Sequence, residues 1–279
     1  MLHFEKWQGL GNDFVLLSGI DFPQEKFPQW AKTLCDRRFG IGGDGLVWVG
    51  PSEKADIRMI IRNSDGSAAD MCGNALRCVV AMAYIRKISP KTEMTIETDA
   101  GIKVGKIHLK EDKVVGVTIN MGKPMWEPEK IPFIPPDGEV KDVPLMAAGR
   151  EFLMTSMNTG VPHTVAFVSD MEWDWHTAGE ELMVHPAFPA KTNVNFIQVK
   201  SPTHLIMKVW ERGAGPTLAC GTGACASAVA AAATGRAERK VTVSLDGGDL
   251  EIEWDQNDDI WMTGGAEQAF VGTTELVDK

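Results

Sequence analysis

The chain reads MCGNAL at residues 71–76 and ACGTGA at residues 219–224. Both stretches place a cysteine and a glycine directly before a long apolar, alanine-rich run, which predicts a helix that begins at the cysteine. Thiolates are stabilised there, because the first backbone N–H groups of a helix have no partner inside it. One such site indicates a nucleophile. Two sites, 148 residues apart, indicate a paired acid and base on opposite sides of one substrate.

The similarity of the two stretches extends upstream. Residues 56–63 and 204–211 alternate apolar and polar side chains, which predicts a strand before each cysteine. Asn63 and Glu211 each lie nine residues before their cysteine. A glycine-containing loop follows each strand, so the strand, loop and helix recur in the same order.

Three further pairs of segments match, and the two members of each pair are separated by nearly the same number of residues as the two cysteines. Hairpin signals follow the predicted helices, and two pairs of short segments precede the predicted strands. One of these pairs sets Asn12 against His163. The matched segments are residues 94–104 and 241–252, 9–15 and 159–165, and 45–49 and 195–199. Matches in this order indicate a duplicated domain.

The fold class that follows is α+β, with two pseudo-symmetric, duplicated domains. In each, a curved, mostly antiparallel sheet surrounds a central helix, because a helix that is apolar on every side must be buried on every side. We expect an N-terminal domain at residues 1–121, completed by residues 264–279, and a C-terminal domain at residues 122–263. The proline-rich stretch 127–144 predicts an irregular excursion rather than a linker.

Composition excludes several classes of protein. The net charge of −10 argues against nucleic-acid binding and against a basic membrane-binding patch. No apolar run approaches the roughly 20 residues that a membrane span needs, and the N-terminus lacks the regions of a signal peptide. Five cysteines without a C-x-x-C pair are not typical of a disulfide framework or a zinc ribbon. We therefore expect a cytoplasmic protein that binds neither nucleic acid, membrane nor metal.

One motif suggests a nucleotide-binding function and is rejected. Residues 40–45 read GIGGDG, which fits G-x-G-x-x-G. A dinucleotide fingerprint must follow a strand and open a helix. Here the motif follows a basic segment and leads into a strand-like run, so a Rossmann fold is not expected.

Cys72 and Cys220 differ from the other three cysteines. A cysteine inside an alanine-rich run is usually a small buried hydrophobic residue, and this interpretation suits Cys35, Cys78 and Cys225. A thiol at a helix N-terminus can instead exchange protons, once its pKa is brought near neutrality. Inverting a carbon beside a carboxylate needs a base on one face and an acid on the other, and open backbone N–H groups would stabilise the charge that develops.

Two other places carry candidate functional side chains. His163 enters a strand at the point matched by Asn12, whereas the other five histidines show no such pattern. Glu211 and Arg212 end the strand before the second thiol. There they could clamp the amino and carboxylate groups of a substrate.

These residues resemble the diaminopimelate epimerase family, the cofactor-independent enzymes of lysine and peptidoglycan precursor biosynthesis. The resemblance spans nearly the whole chain, and the segment from Glu211 to Gly223 is its most specific part. The segments that carry it are GLGNDF at 9–14, RNSDGS at 62–67, MCGN at 71–74, NTGVPH at 158–163, ERGAG at 211–215 and ACGTG at 219–223.

The resemblance implies an isomerase, a PLP-independent amino-acid epimerase that interconverts LL- and meso-2,6-diaminopimelate, with no cofactor and no metal. It implies a homodimer with two similar domains in each chain. Cys72 and Cys220 would be the catalytic acid/bases, and His163 and Glu211 would modulate their pKa. The residues implied to bind substrate are Asn12, Asn63, Gly73, Asn74, Asn158, Asn193, Glu211, Arg212, Gly221 and Thr222.

The chain departs from the family pattern at two positions. Gly45 stands where many members carry a substrate-binding glutamine, so that contact is absent here or is made by Asp44. Pro216 stands where an acidic residue is common. Neither position is one of the two cysteines.

Two alternatives remain open from the sequence. Another PLP-independent amino-acid racemase of the same fold would keep the mechanism and change the substrate. The proline racemase type reads Met-Cys-Gly-His at its first thiol, whereas this chain reads MCGN. A thiol–disulfide redox protein would be of a different class, and such proteins usually carry C-x-x-C.

Overall fold

The computed structural model describes residues 1–275. The chain divides into two compact units. Unit 1 comprises Met1–Asn120 and the chain from Thr263 onward, and unit 2 comprises Met121–Met262. We propose that these units are the two domains expected from the sequence. Residues 264–279 were predicted to complete the N-terminal domain, and of these, residues 276–279 lie outside the described residues.

Residues 1–275 form eighteen strands and four helices. The strands are β1 (Leu2–Gly9), β2 (Asn12–Ser18), β3 (Gly45–Gly50), β4 (Ile57–Asn63), β5 (Ala68–Ala69), β6 (Glu93–Thr98), β7 (Gly101–Lys110), β8 (Lys113–Gly122), β9 (Val143–Ala147), β10 (Arg150–Asn158), β11 (Pro162–Phe167), β12 (Asn193–Ser201), β13 (His204–Glu211), β14 (Gly215–Pro216), β15 (Lys240–Leu245), β16 (Gly248–Trp254), β17 (Ile260–Gly264) and β18 (Glu267–Thr274). The helices are α1 (Phe27–Cys35), α2 (Gly73–Ile85), α3 (Trp175–Met183) and α4 (Gly221–Ala233).

The two units share one strand topology. In unit 1, β2 pairs antiparallel with β1 and parallel with β3, and β4 pairs antiparallel with β3 and parallel with β6. In unit 2, β11 pairs in the same way with β10 and β12, and β13 with β12 and β15. A short strand, β5 or β14, is added to β4 or β13. The predicted α+β class and the predicted duplication are confirmed.

The central helix of each unit is buried on nearly every side. Helices α2 and α4 each have 13 residues, and they begin at equivalent positions. Helix α2 packs against β1, β2 and β7, and α4 packs against strands β10 to β13, β15 and β16. Alanine forms helices readily and brings little side-chain volume, so the surrounding strands can approach closely.

The structure adds a second helix to each unit that the sequence analysis did not predict. Helix α1 follows β2, and α3 follows β11. Each lies in the connection between two parallel strands, where a crossover helix is usual. Asp174 caps α3 by accepting from the backbone N–H groups of His176 and Thr177.

The proline-rich excursion at residues 127–144 is irregular as far as β9, as predicted. Its side chains nevertheless contribute to the core of unit 2. Ile131 and Phe133 are buried, and Phe133 stacks on Phe188 with ring centroids 4.8 Å apart. No helix among the described residues is long and apolar enough to cross a membrane.

Candidate active site

The two cysteines at the predicted helix starts are the N-cap residues of α2 and α4. Both have extended backbones, with φ −137° and ψ 119° at Cys72 and φ −125° and ψ 105° at Cys220. Neither side chain caps its helix by a hydrogen bond. Each carbonyl accepts the first helical hydrogen bond, over 2.9 Å in both units. The sulfur is therefore left for other partners beside the positive end of the helix.

In unit 1, Cys72 lies beside two asparagines. Its Sγ is 3.7 Å from Oδ1 of Asn12, which also accepts from Nδ2 of Asn74 over 3.1 Å. Asn12 begins β2, and Asn74 lies in the first turn of α2. The structure thus brings together three of the predicted site residues, with Gly73 between two of them.

A network of charged side chains supports Asn12. Asp44 accepts from Asn12 Nδ2 over 2.6 Å, from the Asp13 backbone N–H and from Arg37. Arg37 also binds Asp13, which pairs with the buried Lys6 over 2.7 Å. Burial raises the pKa of Asp13, but hydrogen bonds from Arg37 and Lys6 outweigh it and lower the pKa to about 2.

Gly45 stands where the family resemblance predicts a glutamine, and neighbouring atoms leave little space for a side chain there. A Cβ there would lie 2.9 Å from the Arg62 carbonyl oxygen and 3.5 Å from the ring of Phe14. Any larger residue would therefore require β2 or β4 to shift. The neighbouring Asp44 carboxylate is already committed to the three donors named above.

In unit 2, Cys220 is buried beside a carboxylate. Burial raises the pKa of its thiol well above the ordinary value, and the charge of Glu211 raises it further. Glu211 hydrogen-bonds the thiol and also accepts from the Thr217 hydroxyl over 2.5 Å. The Thr222 hydroxyl and the Gly223 backbone N–H act in the opposite direction. Desolvation therefore outweighs the helix N-terminus at Cys220 and keeps the pKa of its thiol above the ordinary value.

His163 reaches Cys220 through the Thr222 hydroxyl. The Nε2 atom of His163 lies 3.0 Å from Thr222 Oγ1, which lies 3.5 Å from Cys220 Sγ. The Asn195 amide nitrogen contacts both His163 Nδ1 and the Thr164 carbonyl oxygen. A carbonyl can only accept, so that nitrogen is the donor and His163 Nδ1 is an acceptor. The His163 proton is therefore on Nε2 and points to Thr222.

His163 is neutral in this arrangement. It is fully buried, and burial together with the charge of Arg212 lowers its pKa to about 3, although the Asn195 contact acts in the opposite direction. A neutral imidazole can pass a hydrogen bond to Thr222 without adding a charge near the thiol. His163 is thus linked to Cys220 through one intervening hydroxyl, and its influence on the pKa of the thiol stays a prediction.

Gly223 allows the groups around Cys220 to pack closely. A Cβ at this position would lie 2.6 Å from Asn195 Oδ1, 2.8 Å from Met207 Cε and 3.2 Å from Cys220 Sγ. Each distance is shorter than an ordinary van der Waals contact. Glycine is therefore required if the thiol and the Asn195 side chain are to share this space.

The remaining predicted site residues are held mainly by the scaffold. Asn63 donates to the Ser67 hydroxyl over 2.9 Å. Asn158 bonds the Lys130 carbonyl and the Gly160 N–H. Asn193 links the Pro162 carbonyl to the Arg212 N–H, so it positions the residues that adjoin His163 and Glu211. Arg212 also donates to the Ala190 carbonyl.

The other three cysteines are buried, as predicted. Burial raises the pKa of Cys35 and of Cys78 to about 12, and Cys225 is fully buried. Within residues 1–275, no group of three or more His, Cys, Asp or Glu side chains is arranged to hold a metal ion.

The sequence analysis missed four polar residues that contact predicted site residues in one unit or the other. Thr159 donates to the Thr222 carbonyl, Thr217 to Glu211, and Asn195 to His163. Arg77 donates to Asn74. Two of them carried a signal that could have been used, since Asn195 interrupts an apolar strand and Arg77 interrupts an apolar helix. A polar side chain inside a buried element must have a partner.

Solved structures with the same fold include a probable racemase and an epimerase. A probable proline racemase from Agrobacterium radiobacter K84 superposes with a TM-score of 0.71 at 15% identity, covering 99% of this chain and 93% of that one. A hydroxyproline epimerase from Agrobacterium vitis superposes with a TM-score of 0.68 at 16% identity, covering 97% and 91%. At such low identity these similarities show the fold alone.

Sequence relatives are much closer. A diaminopimelate epimerase from Desulfitobacterium hafniense is 49% identical over 271 residues, which cover 96% of each protein. One from Moorella thermoacetica is 47% identical over 278 residues, which cover 99% of this chain and 100% of the relative. The model of the family described as diaminopimelate epimerase matches residues 4–127 and 155–269. The chain therefore belongs to the diaminopimelate epimerase family.

Proposed function

We propose that the chain interconverts LL- and meso-2,6-diaminopimelate by two-cysteine proton transfer at one α-carbon, without a cofactor. The observation that carries this proposal is the pair of N-cap cysteines at equivalent positions of duplicated helices. Family membership supports the substrate and a place in lysine and peptidoglycan precursor synthesis. No contact among residues 1–275 favours a second function.

The chemistry requires an acid and a base that act on opposite faces of one carbon. In the proposal, Cys72 and Cys220 take these roles and exchange them when the reaction runs backwards. Each would contribute roughly 10²- to 10⁴-fold to the rate if well placed. The open backbone N–H groups of the first helical turns would stabilise the charge on the substrate carboxylate. Those turns begin at Gly73 and Asn74 in α2 and at Gly221 and Thr222 in α4.

The surroundings of Cys220 suit a thiol that is protonated before it reacts. Its burial and the Glu211 carboxylate favour the S–H form. Glu211 can accept the proton when the thiol must act as a base. The hydrogen bond passed from His163 through Thr222 would then stabilise the thiolate.

We propose that the other predicted residues bind the rest of the substrate. Asn12 would do so beside the first thiol. Glu211 and Arg212 present a carboxylate and a guanidinium, which match the amino and carboxylate groups of an amino acid. The amides assigned to the distal end of diaminopimelate are Asn63, Asn158 and Asn193. Their scaffold contacts would fix them before the substrate arrives, which lowers the cost of binding.

Solvent isotope incorporation tests the proposal. LL-Diaminopimelate incubated with the protein in D2O should give meso product that carries one deuterium, at the inverted α-carbon, during the initial phase. L-Proline treated in the same way should remain unlabelled. Deuterium incorporation without inversion, or no incorporation, would rule out the assignment.

Cysteine variants test the two-base mechanism. Cys72→Ala and Cys220→Ala should each lose turnover, whereas Cys35→Ala should keep it, because Cys35 packs in the apolar cluster around α1 and is not an N-cap residue of α2 or α4. Turnover retained by Cys220→Ala would exclude a two-base mechanism.

We also propose a cytoplasmic homodimer. The oligomeric state rests on the family resemblance, and the location rests on composition. Light scattering after size-exclusion chromatography should give a mass of twice that of the 30.4 kDa chain. A mass equal to one chain would contradict the dimer.

A further inference from the structure

Arg77 is a charged side chain inside the most buried helix of unit 1. It is fully buried, although arginine is rarely buried without a specific partner. Nε donates to the Gly265 carbonyl over 3.0 Å, and Nη1 donates to Asn74 Oδ1 over 2.9 Å. A Cβ on Gly9 would lie 2.9 Å from Nη2. The guanidinium is therefore held in one position.

The contact with Arg77 determines the orientation of the Asn74 amide. A guanidinium can only donate, so the amide oxygen of Asn74 must face it. The amide nitrogen then points the other way, and it donates to Asn12 Oδ1 over 3.1 Å. Helix geometry favours this contact, because residues three apart lie on the same face.

Asp44 constrains the opposite end of the chain of hydrogen bonds. A carboxylate can only accept, so the Asn12 amide nitrogen must face Asp44, and the two atoms are 2.6 Å apart. The Asn12 oxygen is thereby directed to Asn74 and to Cys72 Sγ, which is 3.7 Å away. The Arg77 guanidinium at one end and the Asp44 carboxylate at the other therefore require the same single orientation of the two amides.

We propose that Arg77 and Asp44 are positioning residues at the two ends of this amide relay, and that together they fix which end of Asn12 faces the Cys72 sulfur. The relay is defined as Arg77, Asn74, Asn12 and Asp44. With the oxygen of Asn12 towards it, the thiol can donate its S–H; with the nitrogen towards it, the thiolate would accept instead. Arg77 and Asp44 therefore set the protonation preference of one thiol, and they act through the two asparagines between them. The proposal rests on the proposed function only for its effect on turnover.

A double-mutant cycle tests the relay. The variants are Arg77→Lys, which keeps the charge but cannot reach both partners, Asp44→Asn, and the two together. The readout is the iodoacetamide alkylation rate of Cys72 at fixed pH, measured by peptide mass spectrometry and divided by that of Cys220 in the same sample. This ratio requires no epimerase activity, so it remains informative even if the isotope experiment fails.

Each single variant should change the ratio by about 3-fold or more, and the double variant should match the larger single effect. The effects of two substitutions in one relay are non-additive, because the first substitution has already broken the relay on which the second would act. A ratio unchanged in both single variants would overturn the proposal, and so would a double-variant effect equal to the product of the two. If turnover is observed in the wild type, kcat/KM should fall by about 10-fold in each single variant and show the same non-additivity.

Folding of the Arg77 variant is the practical risk. If Arg77→Lys does not fold, Gly9→Ala replaces it in the cycle, since the added Cβ displaces the guanidinium while all four relay residues are retained. Gly116→Ala is the matched control, because its Cβ would meet its nearest neighbour at an ordinary 3.7 Å. An alkylation ratio for Gly9→Ala equal to that of Gly116→Ala would then overturn the proposal.

Discussion

Arg77 and Cys225 occupy the same position in the two duplicated helices, five residues after the N-cap cysteine, and both are fully buried. One is a cation and the other a neutral thiol. Nine residues before each N-cap cysteine, the charged residue is in the other unit. Unit 1 has the neutral Asn63 there, and unit 2 has the acidic Glu211. The duplicated framework thus places opposite charges near its two thiols, which explains why equivalent cysteines need not behave alike.

Glu211→Gln should shift the titration of Cys220 to lower pH. The carboxylate raises the pKa of this thiol, so removing the negative charge removes part of that increase. The pH midpoint of Cys220 alkylation, followed by mass spectrometry, should fall, and turnover should fall by about 100-fold because the proton acceptor is lost. Glu251→Gln, which removes an exposed charge elsewhere in unit 2, should leave both quantities unchanged. A midpoint that is unchanged or higher in Glu211→Gln would contradict the assignment.

Thr222→Val should cost both stability and activity. The change keeps the shape of the side chain but leaves the buried Nε2–H of His163 without its acceptor. An unpaired buried donor costs about 1 to 3 kcal/mol, so the free energy of unfolding in urea should drop by that amount. Thr222→Ser keeps the hydroxyl and should recover most of the turnover. Equal stability of the valine and serine variants would show that the hydrogen bond is not formed.

His163 should remain neutral, with its proton on Nε2, from pH 8 down to pH 5. Its pKa in the folded protein is lowered to about 3, below the ordinary value of about 6.5. Stability linked to this group is therefore complete above about pH 6.5 and decreases as the pH falls towards 3. NMR of 15N-labelled histidine should show a constant Nε2–H signal, whereas the same residue in urea should titrate. A folded-state titration between pH 5 and 8 would refute this prediction.

Asp13→Asn should destabilise unit 1. The variant leaves the buried Lys6 without its carboxylate, and breaking a buried ion pair costs about 3 to 5 kcal/mol. In the wild type the pKa of Asp13 is lowered to about 2, so its contribution is complete above about pH 4 and is lost as the pH falls through 2. Unfolding measured from pH 5 to pH 2 should therefore be less pH-dependent in the variant. Asp249→Asn, an exposed position, should follow the wild type, and an identical pH profile for Asp13→Asn would contradict this assignment.

The parts of the fold that repeat could be predicted from the sequence. The helix starts at Cys72 and Cys220 and the strands before them were visible because apolar periodicity and glycine positions recur at a constant offset. Helices α1 and α3 were not predicted, since each is nine residues long and their sequences show no match between the two halves. Short amphipathic helices owe their stability mostly to tertiary packing, which a local pattern does not reveal.

The protonation properties of the site could be predicted only in part. The sequence matched Asn12 with His163 and Asn63 with Glu211, and these unlike matches indicated that the two thiols have different surroundings. It could not indicate that Cys220 is almost completely desolvated, which raises the pKa of its thiol above the ordinary value. It also could not show that Thr222 lies between His163 and the thiol, because that contact depends on the register of β11 against α4.

The pairing of β1 with β18 has a consequence for biosynthesis. Leu2–Gln8 pairs with Glu267–Thr274, so β1 leaves the ribosome long before its partner strand. Until then one edge of β1 exposes unsatisfied backbone groups, and such edges are templates for aggregation. Unit 2 is continuous in sequence and can be complete while unit 1 is still open. Nascent chains that stall before residue 267 should therefore depend on chaperones more than the finished protein does.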